Sequence, residues 1–141
     1  MNYYQNKQDV TCFKRNESCL PIGNNFPLFN PETGFMLGNL FEGLYSPYKG
    51  FTNFKLNPCN EKEALHQQML AFKFAAHELN LFLDMHPDNQ NMLSLFHQYN
   101  TIYKQLEDKF VSLYHPITVN QVNQHSNEWV WINSPWPWEN Q

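Results

Sequence analysis

Residues 60–115 contain no glycine and a single proline, Pro87, and this run constrains the fold more than any other part of the chain. Leu65, Met69, Phe72, Ala76, Leu79 and Leu83 recur at spacings of four, three, four, three and four, the seam of an amphipathic helix. After "DMHPD" the rhythm resumes with Met92, Phe96, Tyr99, Tyr103, Leu106, Phe110 and Leu113, and "YHP" stops it at Pro116. Asn60, followed by Glu63, has the form of a capping box for the first helix. Pro87 pushes His86 out of helical geometry, and Asp88 is placed to cap the second helix. The pattern therefore predicts helices over about 61–85 and 89–114, with His86, Pro87 and Asp88 as the turn. So short a link makes the helices antiparallel neighbours, an αα-hairpin over residues 60–115.

The flanks read differently. Residues 1–59 hold all five glycines and five of the nine prolines, which predicts turns and short helical pieces. The best of these is "PETGFMLGNLF", with Pro31 in its first turn and Gly38 limiting its length. In residues 116–141, "ITVNQVNQ" alternates Ile117 and Val119 against polar residues, a strand-like signal. "SPWPW" is extended by its composition, because Pro135 and Pro137 fix φ near polyproline II values. The fold class expected is mainly α: a two-helix hairpin with an aromatic N-terminal arm and an extended Trp/Pro-rich C-terminal arm.

The hairpin has more apolar positions than one seam uses. Leu70, Phe74, Leu81 and Phe82 on the first helix, and Leu93, Leu95, Ile102, Val111 and Tyr114 on the second, need cover. All four tryptophans, Trp129, Trp131, Trp136 and Trp138, stand in the last thirteen residues. A buried Trp removes roughly 200 Å² from water, so even partial burial would hold an extended segment on a helix face. Three uses of the tail stay open: a clasp on its own hairpin, an adhesive strand that docks on another subunit, or carbohydrate stacking. Trp129, Trp131, Pro135, Trp136, Pro137 and Trp138 are the candidate interaction residues, with Phe41, Leu44 and Tyr45 next.

Chemistry is thinly represented. The 23 aromatic residues outnumber the 22 charged ones, the net charge is −4, and no basic block exists, which argues against nucleic-acid binding. The first residues, MNYYQNKQDV, lack a basic segment leading into an apolar run, and no stretch reaches the ~18 apolar residues of a membrane span. Cys12, Cys19 and Cys59 lack zinc-type pairing; synthesis in a reducing cytoplasm is expected, with a later Cys12–Cys19 disulfide as an alternative. Glu63 and His66 give one E-x-x-H on a helix, but a bundle metal site uses two copies with further inward carboxylates, so no metal and no cofactor are expected. His77 and His97 read as boundary residues, and His86 and His115 as partners for helix-end carbonyls. No phosphate-cradling loop or placed nucleophile–base pair is present, so the chain does not read as an enzyme.

From about Phe72 onward the chain resembles the small spore-coat proteins of the CotJB family. The resemblance is carried by "AFKFAAHELNLFLDMHPDNQNMLSLFHQYNTIYKQLEDKF", with "LFLDMHPD" between two amphipathic helices, and by the closing "WINSPWPWEN". Upstream, Phe35 to Tyr48 is similar to the CotJA family of the same coat group: Gly38, Leu40, Phe41, Leu44 and Pro47 agree, while Asn39, Glu42 and Gly43 depart. The resemblance implies an endospore-coat structural protein, made in the mother-cell cytoplasm of a spore-forming Firmicute and assembled on the forespore. It implies self-association or packing with other coat proteins, with a manganese-catalase-like protein as the usual third partner. An accessory role toward that enzyme is the alternative implied.

Overall fold

The computed structural model describes residues 26–44, 46, 48–51, 55–122, 127–133 and 138–139. Its body is an antiparallel pair of long helices, α2 (Glu61–Met85) and α3 (Gln90–Leu113), preceded by a short helix α1 (Pro31–Leu37) that packs on α2. Among the described residues the only β pairing is an isolated antiparallel bridge between Leu28 and Phe41.

Local chemistry sets each boundary. The Asn60 side chain accepts from Glu63 N at 2.8 Å, while the Glu63 carboxylate reaches back to Cys59 N at 2.7 Å and Asn60 Nδ2 at 3.0 Å, so the box at the start of α2 is reciprocal. At the other end His86 leaves helical geometry (φ −135°, ψ 61°) ahead of Pro87. The second helix is capped by Asn89 and not by Asp88: Asn89 Oδ1 accepts from Met92 N at 3.1 Å, and Asn89 N donates to His86 O at 3.1 Å. The four-residue turn uses up Asp88, so the cap falls one residue later and α3 begins at Gln90.

Two clusters make the core. Near the turn, Leu40, Phe41, Ala75, Leu79 and Met92 are buried together, with Phe26, Leu28, Phe82, Leu83, Leu95, Phe96 and Tyr99 packed around them. At the open end Leu65, Met69 and Phe110 are buried, flanked by Leu70, Tyr103, Leu106 and Ile117. The expected seam is followed as far as Phe110; Leu113 is 59% exposed. It stands level with the first turn of α2, where it borders a surface groove with Glu61.

The N-terminal segment supplies what the hairpin lacks. Ala71 and Ala75 are wholly buried although they stand outside the seam. With Phe74, Glu78 and Phe82 they form a second stripe on α2, about 120° around the helix from the first. Residues 26–42 lie along it. Phe29 N donates to Leu40 O (2.9 Å) and Glu42 N to Pro27 O (3.1 Å), closing a loop around α1. That helix begins with Pro31 at its first turn and Asn30 as cap, and ends at Gly38, whose φ of 71° is the left-handed conformation that glycine adopts freely. Leu40 is fully buried, and its N–H points toward Glu78 Oε2 at 3.5 Å.

The strand-like alternation after Pro116 folds otherwise. Val119–Gln121 is a turn of 3₁₀ helix, because the Gln121 side-chain oxygen takes the N–H groups of Ile117 (2.8 Å) and Thr118 (2.9 Å) that a ladder would need. A second 3₁₀ turn spans Val130–Asn133.

Candidate interaction surface

Each end of the hairpin carries its own aromatic assembly. At the turn, Phe41 stacks on Phe82 (centroids 5.1 Å, planes 26°), and His86 also stacks on that ring (4.3 Å, 10°). Phe26 meets Phe82 edge-on at 4.8 Å. His86 Nδ1 lies 3.2 Å from Phe82 O, so this histidine serves a last-turn carbonyl as its position suggests. Phe41, a candidate for contact with partners, is instead a core residue at 6% exposure. The alternation of small and aromatic side chains along α2 was the signal for that packing.

The open end gathers His66, Phe110, Tyr114 and His115. The Phe110 ring lies 5.3 Å from that of His66, 5.1 Å from Tyr114 and 5.2 Å from His115, and Lys62 Nζ sits 6.0 Å above Tyr114. His115 does not serve the last turn of α3; its Nδ1 is 3.2 Å from Pro116 O, and Tyr114 N takes Phe110 O at 2.9 Å. Contact with Phe110 partly desolvates His66, and with His115 and Lys62 beside it the imidazole is held below its ordinary pKa. A groove of about 810 Å³ opens beside His115, lined also by Val111, Tyr114, Val122 and Val130 among others. A second, of about 710 Å³, lies across Tyr114 between Pro58, Leu65 and Leu113.

The C-terminal arm runs out from this end. Trp131 is half-buried, whereas Trp129, Ile132 and Trp138 are 55%, 68% and 71% exposed. Pro135, Trp136 and Pro137 lie outside the described residues, as do Tyr45, Cys12 and Cys19. Leu44 is 54% exposed, and so, on the hairpin itself, are Leu81 (49%) and Met85 (70%). Cys59 is an exposed free thiol. His77 and His97 are exposed. Among the described residues no group of three or more His, Cys, Asp and Glu is arranged to hold a metal, and Glu63 of the E-x-x-H pair is engaged by the helix cap. No helix among them is long and apolar enough to cross a membrane.

The described residues thus form an αα-hairpin with a segment packed on α2 and exposed apolar side chains beside two grooves. The chain belongs to the CotJB protein family, a spore-coat-related family, whose model matches residues 63–139. The match covers α2 from its third residue, all of α3 and the arm with its tryptophans; the CotJA-like stretch Phe35–Tyr48 lies outside it. No curated protein and no solved structure matches the chain.

Proposed function

We propose that this protein is a structural component of the bacterial endospore coat that works by packing against other protein chains, with no catalysis of its own. The observation that carries this reading is the exposure of Trp129, Ile132 and Trp138, all on an arm within the family-matched stretch. Large aromatic side chains left in water lower their free energy most by entering an interface, where Trp is enriched. Self-association or contact with other coat proteins uses the same surface, and synthesis in the mother cell followed by deposition on the coat accords with the family.

The test is the mass of the purified full-length chain by light scattering, compared with a Trp129→Ala/Trp138→Ala variant. Higher assemblies that the double variant loses, with helical circular dichroism retained, support the proposal. A monodisperse monomer that captures no coat protein from sporulating cells overturns it. Stoichiometric capture of a metalloenzyme would favour the accessory-subunit alternative.

A further inference from the structure

We infer that residues 26–42 form a transferable layer that a second copy of this chain also accepts. At high protein concentration the layer of one molecule packs on α2 of its neighbour, a mode of self-association separate from the C-terminal arm. The layer is closed on itself. Phe29 N donates to Leu40 O at 2.9 Å and Glu42 N to Pro27 O at 3.1 Å, joining its two ends, and α1 inside it has its own cap at Asn30 and its own stop at Gly38. It holds the hairpin chiefly through apolar packing. Leu40 and Phe41 are buried with Ala75, Leu79 and Met92, Phe35 meets Phe74 edge-on at 6.0 Å, and Leu40 N stands 3.5 Å from Glu78 Oε2. These contacts are the same whichever chain supplies the layer.

The connection to the hairpin decides where the layer goes. Phe26 and Phe41 lie on Phe82, near the turn, whereas α2 begins at Glu61, at the open end. Residues 43–60 therefore run back along the helix, about 30 Å at 1.5 Å per residue. Fully extended they span on the order of 60 Å, nearly twice that distance. They are thinly packed: every described residue among them except Phe51 is exposed, and Gly50 turns the backbone at φ 82°. With that slack, α2 of an adjacent molecule lies within the same reach as the chain's own. A flexible tether holds its layer at an effective concentration on the order of 1 mM, falling as the slack grows. Dilute molecules therefore pack on themselves, and molecules crowded past that threshold lend the layer to one another. That a spore coat supplies such crowding is the one step that rests on the proposed function. Leu40 and Phe41 must leave the core before the layer moves, so partners are chosen as the chains fold.

The experiment uses two full-length proteins in which Cys12, Cys19 and Cys59 are changed to Ser, one carrying Phe35→Cys and the other Phe74→Cys. They are unfolded in urea, mixed, refolded together at concentrations from about 20 μM to about 2 mM, and treated with a short bis-maleimide. The share of cross-linked heterodimer should rise at least about fivefold across that range. A single chain carrying both cysteines should close on itself at the dilute end. Ser94→Cys, on an exposed position of α3, replaces Phe74→Cys to measure random collision. Isotope-filtered NOEs between Phe41 of labelled chains and Phe82 of unlabelled ones read the same contact in the unsubstituted protein. A heterodimer yield no higher than that with Ser94→Cys, or no interchain NOE at about 2 mM, would overturn the inference. Trp129→Ala/Trp138→Ala should leave the yield unchanged; a fall would make the contact a by-product of the arm and overturn it too. Missing heterodimer beside intact arm-dependent assembly sinks this inference and leaves the proposed function standing.

Discussion

Phe41 lies nearly flat on Phe82, with ring centroids 5.1 Å apart, and so ties residues 26–42 to a helix that begins nineteen positions later. The contact stands at the end of α2 where His86 also stacks on Phe82, so one ring of the hairpin is held from the N-terminal segment and from the turn together.

Phe41→Ala should therefore cost about 3 kcal/mol, the usual range for a buried Phe truncated to Ala. Urea unfolding followed by circular dichroism gives the number. Phe41→Leu, which keeps most of the volume, should recover more than half of it. A loss under 1 kcal/mol for the alanine variant would mean that the segment does not close the core.

A second contrast separates core from rim along the helix pair. Leu79 has no exposed surface, whereas Leu113, in the same predicted pattern, is 59% exposed. Leu79→Ala should destabilise by about 3 kcal/mol, and Leu113→Ala by no more than about 0.5. Equal losses would contradict the placement of the seam's end.

Tyr103 gives an alkaline signature. Desolvation first, then its 2.5 Å hydrogen bond to Glu107 and that carboxylate's charge, push the phenol up to about 12. A folded pKa above the unfolded value of about 10 means that the associated stability is whole below pH 10 and disappears as the pH rises through 12. Burial raises Tyr99 as well, so spectrophotometric titration at 295 nm should show more than one late ionisation, and Tyr103→Phe should remove the step near 12.

Gly38 and Gly34 should fail for different reasons. An added Cβ at Gly38 meets nothing within 4 Å, but φ is +71°, so Gly38→Ala carries only backbone strain of about 1 kcal/mol, and Gly38→Asn less. At Gly34 the backbone is helical, yet a Cβ would stand 3.3 Å from Asn39 O and from Leu40 Cα and Cδ1. Gly34→Ala requires the Asn39–Leu40 backbone and the Leu40 side chain to give way by a few tenths of an ångström, and thermal unfolding should show the larger drop there.

The hairpin was legible because its signals are repetitive: a four-three rhythm in each half, an asparagine cap and one proline break. The short helix at Pro31 was legible from Pro31 and Gly38 for the same reason. Less visible was the second stripe of α2, because Ala71 and Ala75 contribute little apolar surface and matter only through what approaches them. The cap at Asn89 escaped because Asp88 and Asn89 are both good caps, and the turn's hydrogen bond to His86 O decides between them. After Pro116, Gln121 turned an alternating pattern into a 3₁₀ turn through one side-chain oxygen, a choice that periodicity does not register. As for the surface, exposure of Trp129 and Trp138 depends on tertiary placement, whereas their concentration near the end is plain in the chain.

Gly34, Leu40 and Phe41 precede the family-matched stretch, yet they roof the alanine stripe that belongs to it. A shortened version starting at residue 63 would keep α3 and all but the capped first turn of α2, and would leave Ala75 and Phe82 as an open seat. Supplied separately, the segment that carries Leu40 and Phe41 would then behave as a ligand, and two molecules lacking one another's cover could exchange it.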